Sequence, residues 1–271
     1  MKPDKQAYAL VTGAYTGIGL GICEALAKRG YNLLMVARNE AALQKEANRL
    51  ELEHGVRTEY FAVDLSDTDA PQRIFDWTRE LGVTVQFLCN NAGIGMDGKF
   101  HEREAEEIDK VLSVNVRAVT LLTRAFMDDV RSASPGYILN VASMARYYPM
   151  PYKAVYASTK AFVYHFTRSL AVELEEVDVY PSVMCAGPVP TTNELKERIK
   201  KSSWFGRTVA LEPGVVGEAT VRDALRGKEV ILPGFVTKLG LLVLHLAPAW
   251  ARRKKFLKTI EGQIGVERER A

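Results

Sequence analysis

Seven short runs of apolar, strand-favouring residues recur along this chain, and each is followed by a longer amphipathic stretch. That rhythm constrains the fold more than any other feature. The predicted strands are Ala7–Val11, Asn32–Ala37, Arg57–Val63, Val85–Asn90, Tyr137–Val141, Val177–Cys185 and Glu229–Leu232. Most are apolar throughout rather than alternating, as expected of strands covered on both faces. The predicted helices fall between them, at 17–29, 40–54, 68–80, 102–131, 152–176 and 213–226, and Ser66-Asp67-Thr68-Asp69 offers a capping-box start for the third. Repeated strand–helix alternation predicts a doubly wound α/β sandwich of three layers, with a central, mainly parallel seven-stranded sheet and right-handed crossovers. A length of 271 residues, 47% of them apolar, suits one such domain across 1–271. Pro181 is a misfit, because it removes a ladder donor; its strand should be bulged or near an edge there.

Composition excludes several other classes. The chain carries 36 Lys+Arg against 33 Asp+Glu, so no global charge favours nucleic acid. Its first residues, Met1-Lys2-Pro3-Asp4-Lys5, lack the apolar stretch of a secretory signal, and no segment offers about 20 uncharged apolar residues for a spanning helix. Cys23, Cys89 and Cys185 show neither metal spacing nor a disulfide pattern, which points to reduced, buried thiols in a cytoplasmic protein. No metal site is expected, and His245 has no second histidine at ligand spacing.

The first strand runs into Gly13-Ala14-Tyr15-Thr16-Gly17-Ile18-Gly19 and then directly into a helix. Glycines let such a turn approach a pyrophosphate, and the new helix offers it free N–H groups and a positive dipole end. The second strand ends Val36-Ala37-Arg38. An acidic residue there would hold a ribose 2′-hydroxyl and repel a 2′-phosphate, whereas Arg38 can pair with the phosphate. NADP(H) is therefore the expected cofactor.

Tyr156 and Lys160 stand four apart on a predicted helix and so share a face. A free phenol, with a pKa of about 10, is a poor base near neutrality. An adjacent ammonium and a positive nicotinamide ring should lower that value, making Tyr156 a general base toward an alcohol or a general acid toward a ketone. Ser143 follows a predicted strand, at the end of an open sheet where ligands sit, and can hold a substrate oxygen or simply serve the turn. Asn115 lies within the long fourth helix, where it can distort the helix.

These residues resemble the short-chain dehydrogenase/reductase family in its single-domain, Rossmann-type form, over residues from about 7 to about 235. Thr12, Gly13, Gly17 and Gly19 match its Thr-Gly-x-x-x-Gly-x-Gly turn, and Asn90-Asn91-Ala92-Gly93 its Asn-Asn-Ala-Gly motif. Asn115, Ser143, Tyr156 and Lys160 match its catalytic tetrad in order and spacing. The resemblance implies that Asp64 and Leu65 contact adenine, that Lys160 binds the nicotinamide ribose, and that Asn115 holds a water relaying protons from Lys160 to solvent. It adds Gly187, Pro188, Val189 and Thr191 near the carboxamide, with Ala186 in place of the family's usual proline and hence a less rigid turn. With Tyr15, Thr16, Ile18, Arg38, Asn91, Ala92, Gly93 and Tyr156, these complete the expected cofactor contacts. Pairing through helices 102–131 and 152–176, giving a homodimer or homotetramer, is also implied.

Substrate is expected to touch Ser143, Met144 and Tyr156 within a lining drawn from Ile94–Met96, Met144–Tyr152 and the segment after Thr191. That lining includes Met96, Tyr147, Tyr148, Met150, Tyr152, Trp204 and Phe205, and suits a bulky hydrophobic ketone or alcohol. The run 192–208 reads as a helical lid. Residues 235–271 form an apolar and then basic extension, ending in Arg252-Arg253-Lys254-Lys255. Part of it, 235–258, either covers its own domain or a subunit or makes peripheral contact with a membrane. The extension resembles the branch with hydroxysteroid dehydrogenases and long-chain 3-ketoacyl reductases. The leading expectation is an NADP(H)-dependent oxidoreductase acting on a secondary alcohol or ketone of hydroxysteroid-like or 3-oxoacyl-like form. The alternative is a catalytically inactive NADP(H)-binding regulator, against which the intact tetrad argues. A sugar-nucleotide epimerase is disfavoured by length and by the first-turn glycine spacing.

Overall fold

The computed structural model of the chain describes residues 7–190, 197 and 210–234. Its strands are β1 (Tyr8–Thr12), β2 (Asn32–Ala37), β3 (Thr58–Ala62), β4 (Val85–Asn90), β5 (Gly136–Ser143), β6 (Val179–Ala186) and β7 (Val230–Ile231). They form one sheet in the order β3-β2-β1-β4-β5-β6-β7, and every pairing is parallel. Helices α1 (Gly17–Ala27), α2 (Glu40–His54) and α8 (Pro213–Ala224) supply Ile22, Leu43, Leu50 and Val221 to the core on one face. The other face takes Ile74 from α3 (Ala70–Glu80), Leu122 from α5 (Val119–Ala125), Val130 from α6 (Met127–Ser132) and Val163 from α7 (Ala154–Glu173). The central strands β1, β2 and β4 are almost wholly buried, which explains their unbroken apolar sequences. Strand β3, at the sheet edge, is only half-buried and exposes Glu59.

Chain direction across the sheet reverses between β1 and β4. Such a reversal opens a crevice at the carboxyl ends of the two strands, where doubly wound proteins bind ligands. Pro181 also finds its explanation here. Strand β6 pairs with β7 only at Val183 and Met184, so Pro181 lies where that side of β6 is an open edge. No bulge interrupts its register with β5.

Two local expectations are corrected. Helix α3 begins at Ala70 after Asp69, whose backbone is αR and whose side chain makes no cap hydrogen bond, so no capping box forms. Ser66 instead turns back, donating through both its N–H (2.9 Å) and its hydroxyl (2.8 Å) to Asp64 Oδ1. The single helix expected over 102–131 is divided into α4 (Ala105–Leu112), a π-helical segment (Ser113–Ala118), α5 and α6, with a break at the fully buried Phe126.

A buried polar chain crosses the middle of the molecule. Asn90 on β4 donates through Nδ2 to Thr123 on α5 (3.0 Å) and to Asn140 on β5 (2.9 Å), and Asn140 Nδ2 donates to Thr167 on α7 (2.9 Å). Both threonine hydroxyls donate onward, at 2.7 Å, to main-chain carbonyls of their own helices. Among the described residues, no helix is long and apolar enough to cross a membrane. Thr191, Trp204, Phe205, His245, the 235–271 extension and nearly all of the 192–208 run lie outside the described residues.

Candidate active site

The ends of β1 and β4 are joined by side chains before any ligand is considered. Thr12 Oγ1 accepts from the main-chain N–H groups of Asn91 and Ala92, both at 3.0 Å, and Asn91 Nδ2 donates back to Thr12 O at 2.8 Å. Thr12 is 1% exposed. Its expected contact with a cofactor is thereby corrected: the buried, engaged hydroxyl shapes the crevice floor instead. Gly13 and Gly17 adopt the left-handed conformation that glycine accepts without strain. At Gly19 the constraint is space, because a Cβ there would stand 2.1 Å from Gly13 O and 2.5 Å from Asn91 Nδ2. Helix α1 starts beyond an extended Thr16 with no acidic side chain in its first turn, so its positive end is not neutralised. Tyr15 and Ile18 are half-buried beside it, and Thr16 is exposed.

Arg38 leaves the end of β2 with 60% of its side chain exposed and its guanidinium 3.8 Å from Asp64, which lies beyond β3. Lys110 reaches the same carboxylate from α4, also at 3.8 Å. Partial burial opposes ionisation of Asp64, yet the Ser66 hydrogen bonds and the two cations hold its carboxyl below the ordinary range. The Leu65 side chain is buried in the core with Val63 and Ile74.

The tetrad converges at the ends of β4 and β5. Ser143, the last residue of β5, accepts at Oγ from Ala145 N (3.1 Å) and shares a hydrogen bond with the Tyr156 phenol. One hydroxyl thus both serves the local turn and meets the Tyr156 phenol. Lys160, one turn after Tyr156 on α7, is 5% exposed and donates from Nζ to Val141 O (2.9 Å). Burial pushes its pKa down to about 8, only partly opposed by the Cys185 thiol. Asn115 sits fully buried in the π-helical segment, in accord with the helix-distorting expectation. Its Oδ1 accepts from Ile94 N (2.9 Å), and its Nδ2 donates to Ile94 O (2.9 Å) and Thr159 Oγ1 (3.1 Å). A Cβ at Gly93 would stand 3.0 Å from Lys160 Nζ and 3.3 Å from Asn115 Oδ1, so that glycine admits both side chains.

The expected lowering of the Tyr156 pKa is not what the protein itself produces. Burial raises it, the Ser143 hydrogen bond lowers it and the Asp97 charge raises it, with a net upward shift. The Lys160 ammonium, one turn along α7, donates to Val141 O at 2.9 Å.

Of the expected lining, Met96 and Tyr152 border a cleft of about 290 Å³ together with Phe100 and Val155, two residues the sequence reading missed. Phe100 is 62% exposed, and a lone aromatic in a polar stretch gives no periodic signal. Tyr147 is corrected to a packing residue: the Arg146 guanidinium lies between its ring and that of Tyr164 on α7. Tyr148 and Met150 are half-buried, and Met144 packs against the third core cluster. Beyond β6, Gly187 and Pro188 are partly exposed, whereas Val189 is 4% exposed and packs in the core. Ala186 itself ends β6 in register with Ser143.

The family described as short chain dehydrogenase matches residues 7–202. The chain is 33% identical over 177 residues to the very-long-chain 3-oxoacyl-CoA reductase-A of Danio rerio, a match covering 64% of this chain and 55% of that protein. It spans 52% to 59% of the length of three such curated relatives and 31% of the probable oxidoreductase EphD of Mycobacterium tuberculosis. Among solved structures, a 7beta-hydroxysteroid dehydrogenase superposes with a TM-score of 0.83 at 25% identity, covering 96% of this chain and 99% of the other. A short-chain dehydrogenase from Sphingobium yanoikuyae, in complex with NADPH, gives a TM-score of 0.77 at 25% identity with 98% of each chain covered. This chain belongs to the short-chain dehydrogenase family, a family of oxidoreductases.

Proposed function

We propose that the protein is an NADP(H)-dependent oxidoreductase that interconverts a secondary alcohol and a ketone on a bulky hydrophobic substrate, with Tyr156 as general acid and base. The observation that carries this reading is the Ser143–Tyr156 hydroxyl pair standing beside the buried Lys160 at the carboxyl ends of the strands.

The crevice suits the dinucleotide. Gly13 and Gly17 turn the chain tightly at the end of β1, Gly19 lets the first turn of α1 close against Gly13 O, the positive end of α1 carries no acidic side chain, and Arg38 provides an exposed cation at the end of β2 for a 2′-phosphate. When bound there, NADPH supplies the hydride. Tyr15, Thr16, Gly17 and Ile18 would border the pyrophosphate, Asp64 the adenine, and Ala92, Gly93, Gly187 and Pro188 the nicotinamide side. Val189, like Leu65, would contribute through its main chain, since its side chain is in the core. The upward-shifted phenol remains protonated near neutrality, so Tyr156 is prepared to donate its proton to the oxygen of a ketone. Ser143 offers that oxygen a hydrogen bond from the other side. In the oxidative direction Tyr156 must lose its proton, and an ammonium at Lys160 released from Val141 O toward the phenol would favour that loss.

The 3-oxoacyl-CoA reductase relative and the hydroxysteroid dehydrogenase neighbour support a lipid-like ketone. Exposed Leu121 on α5 and Phe162 on α7, at 40% and 41%, support pairing of two copies through these helices. The test is NADPH oxidation across steroid ketones, 3-oxoacyl thioesters and aryl ketones, by the protein and by Tyr156→Phe. The variant should lose about 10² to 10⁴ of the turnover while binding NADPH as before. Full turnover by the variant would refute the assignment.

A further inference from the structure

Two contacts join the loop after β4 to the approach to α7, and neither has a part in the steps above. Asp97 Oδ1 lies 2.7 Å from Lys153 Nζ, with side chains only 22% and 16% exposed, and Gly98 N donates to Tyr152 O at 2.8 Å. Between these contacts Tyr152 has a φ of +61°, the one positive value at a non-glycine among the described residues. A bulky L side chain keeps that conformation only where its surroundings impose it. Lys153 immediately precedes α7, whose first turn carries Tyr156. Met96 and Gly98, which flank Asp97, and Tyr152 and Ala154, which flank Lys153, all line the cleft. The joint is therefore the seam of that cleft.

We propose that the Asp97–Lys153 ion pair is a positioning clamp: it holds Tyr152 in its left-handed turn, fixes the start of α7 against the loop after β4, and so places the Tyr156 hydroxyl while keeping a carboxylate near it. The charged and polar groups facing that hydroxyl are then Asp97 from the loop, Ser143 from β5 and Lys160 from α7 itself. Asp97 is among the groups that push the phenol upward. A half-buried pair does this more effectively than an exposed one, because water screens it less.

The proposal rests on Tyr156 being the proton donor, but its test need not. In full-length protein labelled with [13Cζ]tyrosine, the Tyr156 resonance is identified by its loss in Tyr156→Phe. Asp97→Asn should lower its titration by about half a pH unit or more, roughly three times as much phenolate at a common alkaline pH where circular dichroism shows the native fold. The exchange Asp97→Lys with Lys153→Asp rebuilds the clamp with the charges reversed. It should recover most of the thermal stability lost in Asp97→Asn and Lys153→Met while lowering the titration further, a separation that a purely structural role would not give. With the best ketone from the panel, the single variants should lose about tenfold in kcat with KM nearly unchanged, as expected when a proton donor is displaced. An unshifted Tyr156 resonance in folded Asp97→Asn, or an exchange variant no more stable than the singles, would overturn the clamp. If Asp97→Asn does not fold, the exchange variant decides on the same two readings, with its stability compared to that of Lys153→Met. Retained turnover in Tyr156→Phe would instead remove the catalytic assignment and leave the resonance test standing.

Discussion

Thr12→Val tests whether the floor of the crevice is held as the geometry implies. The substitution keeps the branched shape, so it opens no cavity and leaves the packing of the 1%-exposed side chain unaltered. What it removes is one oxygen that accepts from two main-chain N–H groups, those of Asn91 and Ala92, each at 3.0 Å. The bond that the same hydroxyl donates, to Cys89 O at 3.5 Å, is too long to weigh in the balance. A buried donor deprived of its acceptor costs about 1–3 kcal/mol, or about 2–6 kcal/mol for two, and because Asn91 and Ala92 are only half-buried the lower part of that range, about 2–4 kcal/mol, is expected. Against a typical total stability of about 5–15 kcal/mol, that is a large fraction. Urea unfolding followed by circular dichroism reads the difference, with Thr12→Ser as the control that keeps the oxygen. The serine variant should stay within about 1 kcal/mol of the parent protein, because it loses only a methyl group. If valine costs no more than serine, the hydroxyl is not the tie between the two loops and the argument fails.

Arg38→Ser should weaken NADPH binding by about tenfold or more, the loss of one charge-assisted contact, and leave NADH binding unchanged; fluorescence titration with both nucleotides decides, and an equal loss for the two would remove the 2′-phosphate assignment. Lys160→Met replaces a cation whose pKa is depressed from 10.5 to about 8 by burial. Between those two values the unfolded chain binds more protons at this site than the folded one, so this lysine makes stability rise with pH there. The methionine variant should therefore be more stable than the parent at pH 7 by roughly 1–3 kcal/mol, after loss of the bond to Val141 O, and the gap should close as pH rises from about 8 to 10.5. A gap that stays constant across that window in pH-dependent urea melts would contradict the depressed pKa.

Much of this architecture is legible from residue order because each strand run is bounded by punctuation that has one physical meaning. Gly13 and Gly17 mark left-handed turns, Pro181 marks an unpaired edge, and the runs at β1, β2 and β4 are apolar because both sheet faces are covered. The break in the fourth helix is only half legible. Asn115 signals distortion, but the π turn is imposed by distant partners, Ile94 and Thr159, that the local sequence cannot reveal. Phe126 interrupts the helix without any proline or glycine, at a φ of −94° and a ψ of 5°, with its ring buried and packed edge-on against Phe75. Asp97 and Lys153 escaped notice for a related reason: 56 residues apart in a sequence rich in charges, they become a pair only through the fold. Helical spacing places Lys160 on the face of Tyr156, but it does not reveal that the strand carbonyl of Val141 accepts from its ammonium.

The polar chain from Thr123 through Asn90 and Asn140 to Thr167 has a consequence for assembly of the sheet. Apolar strands such as β4 and β5 tolerate sliding past one another, since a valine or leucine packs acceptably against many neighbours. Asn90 and Asn140 lie opposite each other in the observed register. A slip of one residue would turn one amide toward the wrong face and strand both without partners in a dry interior. Each misaligned pairing then forfeits several hydrogen bonds at once, not one. The two asparagines thus act as an alignment key in an otherwise greasy interface, and because Asn91 directly follows β4 and Ser143 ends β5, the key sets the relative height of the two halves of the candidate site.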